Sequence, residues 1–163
     1  ESFDTKLSAL AGVRKQQIER HFRSGKGRSM IDTDITFNNA IDILMYTPRA
    51  SQIAFLSPFP DIWFSKGSAE STSVMRRISM FEMIYIYIAL VFLPLAVWAW
   101  KMKSELWVAI IYSYTMLLFL TMSFPNIGTL YRYRYAFLMI TITIALTYFF
   151  NIIEKYYKKT IEE

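Results

Sequence analysis

Three uncharged runs set the limits on what this chain can become. Met83–Trp100 holds 18 residues without a charge, Leu106–Pro125 holds 20 and Tyr135–Ile153 holds 19. At a rise of 1.5 Å per residue, an α-helix of that length covers roughly 27–30 Å, the hydrocarbon thickness of a bilayer. A charge at the centre of such a helix costs roughly 2.5–3.5 kcal/mol on insertion, so three long charge-free windows at regular spacing point to insertion. The competing fold, a soluble bundle, needs amphipathic partners to cover three helices that are apolar all round. The predicted fold is therefore all-α and integral to a membrane. Three transmembrane helices, near 80–100, 106–125 and 135–153, follow a set of amphipathic or interfacial helices. Trp98, Trp100 and Trp107 bracket the first hairpin, as headgroup-level aromatics do. Pro94 falls inside the first span, a position that membrane helices tolerate.

Charge divides the chain in two. Of its 18 Lys and Arg residues, 11 lie in positions 1–79. That gives a polar, basic, amphipathic helical region over 1–79 and a membrane region over 80–163 ending in a short tail. Apolar residues make up 54% of the whole, more than a globule this size needs to bury. The net charge of +5 is not accompanied by a nucleic-acid-binding motif, and it suits contact with anionic lipid, so nucleic acid is not an expected partner. Cysteine is absent, which excludes disulfides and cysteine-ligated metal centres. No cofactor or metal is expected. His21 stands alone, and Asp32 and Asp34 before a helix read as caps rather than cation ligands. No P-loop, GxGxxG, GxSxG or HExxH pattern occurs. The chain opens on ESFDTKLSAL, with no initiator Met and no signal-peptide pattern, and reads as the C-terminal part of something longer.

Within the first region, residues 4–23 read as a helix capped by Asp4 or Ser2, with Leu7, Leu10, Ala11, Val13 and Ile18 on a partial apolar face. Lys6, Arg14, Lys15 and Arg20 supply a cationic face. RSGKGRS (23–29) breaks this helix. A second helix is expected from Phe37 to Met45, ending ahead of Pro48, and a third from Arg49 to Leu56. SPFPDIWF (57–64) reads as a stiff aromatic turn, and 65–73 as a polar linker.

Three spans put the two ends on opposite sides. Lys101, Lys103, Lys155, Lys158 and Lys159 share one side, and Arg76, Arg77, Arg132 and Arg134 the other. The positive-inside rule places the lysine side and the C-terminus in the cytoplasm, and the basic N-terminal region at the outer face.

The richest stretch for chemistry is FPNIGTLYRYRYAF (124–137). Pro125 and Gly128 are expected to end a helix and turn the chain, leaving Arg132 and Arg134 at the membrane face among Tyr131, Tyr133 and Tyr135. A guanidinium is a planar fork of donors that suits phosphate, and a tyrosine ring can stack on a sugar. Two readings stand: a site for an anionic lipid-linked group, and interfacial anchoring by snorkelling arginines and belt tyrosines. In the second stretch, 47–64, Arg49 and Asp61 line a cavity if the segment is re-entrant. If it lies on the membrane surface, Ile53, Phe55 and Leu56 sit in lipid. Glu82, near the edge of the first span, reads as a hydrated partner for Arg76 or Arg77.

Pro48-Arg49, the Pro58-Phe59-Pro60 turn and the late GTLYRYRY before a final span resemble the C-terminal region of bacterial polytopic envelope-glycan proteins. These include GT-C-type glycosyltransferases and O-antigen-polymerase-like proteins. The resemblance implies part of a glycosyltransferase or glycan polymerase in the bacterial inner membrane, handling a polyprenyl-phosphate-linked glycan. Arg132 and Arg134, with Tyr131, Tyr133 and Arg49, would contact the carrier or glycan. Such enzymes carry an acidic catalytic residue in an early outer loop that has no counterpart here, so no catalytic residue is named. The expected partners are membrane lipid, the glycan carrier, and a missing N-terminal part or another membrane subunit. The alternative is a small non-enzymatic membrane subunit or scaffold.

Overall fold

The computed structural model describes residues 3–23, 30–64 and 70–162. They form seven helices: α1 (Phe3–Arg23), α2 (Ala40–Leu56), α3 (Pro60–Trp63), α4 (Glu70–Trp100), α5 (Ser104–Ser123), α6 (Ile127–Tyr133) and α7 (Tyr135–Glu162). No strand forms among the described residues, and Met30 with Asn126 makes an isolated antiparallel bridge. The chain is all-α as expected. α4, α5 and α7 each contain a segment long and apolar enough to cross a bilayer: Arg77–Trp100, Ser104–Ser123 and Tyr135–Ile161.

Several boundaries differ from the reading of the sequence, each for a local reason. α2 is one helix that runs through Pro48 rather than two helices divided by it. Proline removes the hydrogen bond to the carbonyl four residues back, here that of Leu44. Leu44 and Pro48 both lie on the exposed face, so that carbonyl is not trapped in the core. Around the proline, Thr47 Oγ1 donates to the Ile43 carbonyl and Ser51 Oγ to the Thr47 carbonyl, both at 2.8 Å. The helix starts at Ala40 because Asn39 and Asp42 form a reciprocal capping box. α3 is one helical turn opening on Pro60, a position where a missing N–H costs nothing, so the aromatic turn is partly helical. The polar linker joins α4 from Glu70 onwards. Asn126 caps α6 by accepting from the Thr129 N–H at 3.0 Å, so the Arg-Tyr run is helical rather than a turn. The glycine-rich segment 24–29, linker residues 65–69 and the capping side chains of Ser2 and Asp4 lie outside the described residues and side chains.

The chain divides into two compact units that interleave along the sequence. The first comprises 1–58 and 115–135, the second 59–114 and 136–163. In the second unit the buried residues follow helical stripes. Leu138, Thr141, Ile142 and Ala145 form one on α7, and Met83, Ile86, Ala89 and Ala96 form another on α4. Alanines let helix backbones approach closely where there is no hydrophobic gain to draw them together. Ring pairs complete the packing: Trp63 stacks on Tyr87 at 6.2 Å, Phe92 meets Phe149 at 4.9 Å, and Trp100 meets Tyr148 edge-on at 5.7 Å.

Much of this unit's apolar surface is uncovered. Only 22% of the most apolar window is buried in α4 and in α7, so the chain itself leaves most of these side chains uncovered. Ile88 and Val91 on α4, and Val108 and Ile111 on α5, are all exposed. Two exposed hydroxyls in the apolar run of α7 are satisfied within the helix. Thr143 Oγ1 donates to the Met139 carbonyl and Thr147 Oγ1 to the Thr143 carbonyl, each at 2.8 Å. Hydroxyls closed onto their own backbone are what a hydrocarbon surround requires.

Candidate functional site

The first unit is organised around two buried arginines. Arg14 is 2% exposed. On α1 it sits seven residues from buried Leu7, between Ala11 and Ile18, and so belongs to the stripe that faces protein. This corrects the expectation that Arg14 shares a cationic face with Lys6, Lys15 and Arg20. Its guanidinium fork donates three ways: Nε to the Ile35 carbonyl (3.2 Å), Nη1 to the Met122 carbonyl (3.1 Å) and Nη2 to the Asp32 carbonyl (2.6 Å). The rings of Phe37 and Tyr46 lie 5.3 and 5.5 Å from its Cζ, where their π faces attract the charge. A lysine ammonium could not reach three carbonyls lying in different directions from one plane.

Asp32 is the second centre. It does not cap a helix, since Asn39 caps α2. Its φ of 51° is in the left-handed region, which aspartate enters more readily than most residues. The carbonyl meets Arg14, while the carboxylate takes Arg49 Nε at 3.1 Å and Nη2 at 3.4 Å, and accepts from the Tyr46 hydroxyl at 3.1 Å. Burial pushes the Tyr46 phenol up to about 12, with Arg14 drawing it back and Asp32 adding to the rise. The hydrogen bond to Asp32 holds the Arg49 guanidinium above its usual range. The Arg49–Asp32 pair is partly exposed, with side-chain accessibilities of 44% and 18%, so it contributes only about 0–1 kcal/mol.

Arg134 is the other buried arginine, with no exposed surface. Its Nη1 reaches the Ala54 carbonyl at 2.8 Å, the Ile53 carbonyl at 3.3 Å and Ser57 Oγ at 3.2 Å. Its Cζ sits 5.5 Å from the Tyr131 ring. A cation at the C-terminal end of α2 meets the negative end of the helix dipole and the Ala54 carbonyl, whose partner four residues on is Pro58 and has no N–H, while the Ile53 carbonyl also accepts from the Ser57 N–H at 3.2 Å. It also joins the two places where the chain leaves this unit, after Pro58 and after Tyr135.

The Arg-Tyr run is therefore split. Arg132 and Tyr133 are exposed, whereas Arg134 is turned inward with Leu130 and is occupied by backbone carbonyls. Arg132 has no intramolecular hydrogen bond or ion pair among the described residues. Tyr133 rests on Phe124, ring centres 5.6 Å apart, and Tyr131 is half-buried against Tyr135. Arg49 is exposed at the edge of α2 but engaged by Asp32, and Asp61 is exposed. Ile53, assigned to lipid on the surface-helix reading, is fully buried, because α2 turns Tyr46, Ala50, Ile53 and Ala54 inward. Glu82 is half-buried on α4, Arg77 on the same helix is exposed, and the Arg76 side chain lies outside those described. Among the described residues no three His, Asp or Glu side chains gather as metal ligands.

Sequence reasoning missed Arg14. Its spacing from Leu7, Ala11 and Ile18 is the signal that places it on the apolar stripe. Comparison with family models, with curated proteins and with solved structures found no match to this chain.

Proposed function

We propose that this chain is part of a multi-pass protein of the bacterial inner membrane that handles a polyprenyl-phosphate-linked glycan during surface-polysaccharide assembly. The C-terminus is cytoplasmic in this reading, and the first unit works at the outer face. The observation that supports it is the exposed Arg132–Tyr133 pair, held on a short helix by buried Leu130 on one side and buried Arg134 on the other. An unengaged guanidinium beside an exposed ring suits a phosphate joined to a sugar. Arg134 is a positioning residue here, because its donors go to α2 rather than outward.

Arg132→Ala in the cellular protein separates contact from scaffold. Loss of one charge-assisted bond of about 1.5–3 kcal/mol lowers carrier affinity about tenfold or more, and glycan assembly falls while the inserted amount and melting temperature stay at wild type. Arg134→Ala instead lowers the melting temperature, by about 3 kcal/mol of stability, since the Ala54 carbonyl and Ser57 Oγ lose the guanidinium. Full glycan assembly by stable Arg132→Ala removes the carrier reading. A second reading, a non-enzymatic membrane subunit, is favoured by one observation: both buried guanidinium groups serve backbone carbonyls rather than a cavity.

A further inference from the structure

α2 is amphipathic in the reverse sense. Its inward face is Tyr46, Ala50, Ile53 and Ala54, and its outward face carries Ile41 (64% exposed), Leu44 (72%), Met45 (77%), Pro48 and Leu56, with Gln52 the one polar residue among them. At 100° per residue these five lie within a single sector, and Arg49 lies at its border. A soluble surface helix would place its charges there.

Two observations say what covers this face. The first is position. The same unit contains 115–123, the end of a helix long enough to cross a bilayer, and Arg14 is bonded to the Met122 carbonyl next to its last residue. Phe119 on this stretch is itself exposed. The second is charge. The first unit's segments hold ten Lys and Arg against six Asp and Glu, which is +4 of the chain's +5. Lys15, Arg20 and Arg23 stand exposed on α1 and Arg132 on α6. An apolar face with Arg49 at its border, in a net-basic unit that includes the end of a helix long enough to span, matches the acyl–headgroup boundary of an anionic leaflet.

We infer that α2 is an in-plane membrane anchor, its Ile41–Leu44–Met45–Pro48–Leu56 face seated in the lipid interface with Arg49 at headgroup level. The inference rests on the bilayer reading of α4, α5 and α7, but not on the glycan.

The chain has no cysteine, so single-cysteine variants can carry an environment-sensitive fluorophore. The full chain is reconstituted into vesicles of equal parts phosphatidylcholine and phosphatidylglycerol, with the label at Leu44→Cys, Met45→Cys, Ile88→Cys or Lys15→Cys. Ile88 is exposed in the middle of α4's apolar run, and Lys15 is exposed on α1. Labels at 44 and 45 are expected to emit blue-shifted from the label at 15. They are also expected to be quenched more by a nitroxide at the headgroup than by one at the acyl terminus, with the reverse order at 88. Water-like, unquenched labels at 44 and 45 beside a lipid-quenched label at 88 overturn the anchor and leave the spans standing. Blue-shifted labels at 44 and 45 that neither nitroxide quenches overturn it as well, since protein then covers the face. A water-like label at 88 overturns the bilayer reading itself.

Discussion

The two compact units solve the same problem with opposite chemistry. In the first, elements distant in sequence are joined by buried guanidinium groups that satisfy backbone carbonyls: Arg14 joins 32–35 to the end of α5, and Arg134 joins α6 to the end of α2. In the second, the helices meet through alanines, aliphatic stripes and aromatic rings, and the hydroxyls of Thr143 and Thr147 close on their own helix. An arginine–carbonyl network fixes directions and is lost all at once when its centre is removed. An apolar seam loses stability in proportion to the atoms changed. The first unit has the character of a shaped, directional part, and the second that of a span whose remaining surface is left to the solvent around it.

Substitution at the centre of each unit should expose this difference. Arg14→Ala takes a donor from three carbonyls, of which Asp32's keeps the Ile35 N–H, and removes two cation–ring contacts. A loss of about 4 kcal/mol is expected, seen as a lower melting temperature of the detergent-solubilised protein, and Arg14→Lys should recover less than half. A near-neutral Arg14→Ala would erase the contrast between the units. Ala96→Leu, at a fully buried contact in the second unit, should cost about 1–3 kcal/mol by overpacking, and Ala96→Gly about 1 kcal/mol. The smallest effect is a pH dependence. Tyr46 holds its proton to about 12 against an ordinary 10, so the neutral phenol stabilises the fold fully below pH 10. As pH rises from 10 to about 12 the unfolded chain releases this proton first, and stability falls over that interval. Tyr46→Phe should be less stable at neutral pH, having lost the bond to Asp32, yet show a flatter alkaline profile by circular dichroism.

The second unit was largely legible in the sequence because a long uncharged run carries its meaning without neighbours: α4, α5 and α7 occur where 83–100, 106–125 and 135–153 placed them. The first unit was less legible because its key facts are tertiary. Arg14 looks like any surface cation until three carbonyls from 32–35 and α5 surround it. Pro48 looks like a stop until the face it occupies is known to be the exposed one. Arg132 and Arg134, two residues apart, look alike. Helical geometry sends one outward and the other under the end of α2.

The most direct test of the central claim, that lipid hydrocarbon surrounds the uncovered faces of α4, α5 and α7, is fractionation of the expressed chain. It should stay in the membrane pellet through alkaline carbonate and come into solution, monodisperse and helical, only with detergent. A helical, monodisperse protein in plain aqueous buffer would contradict the account at its root.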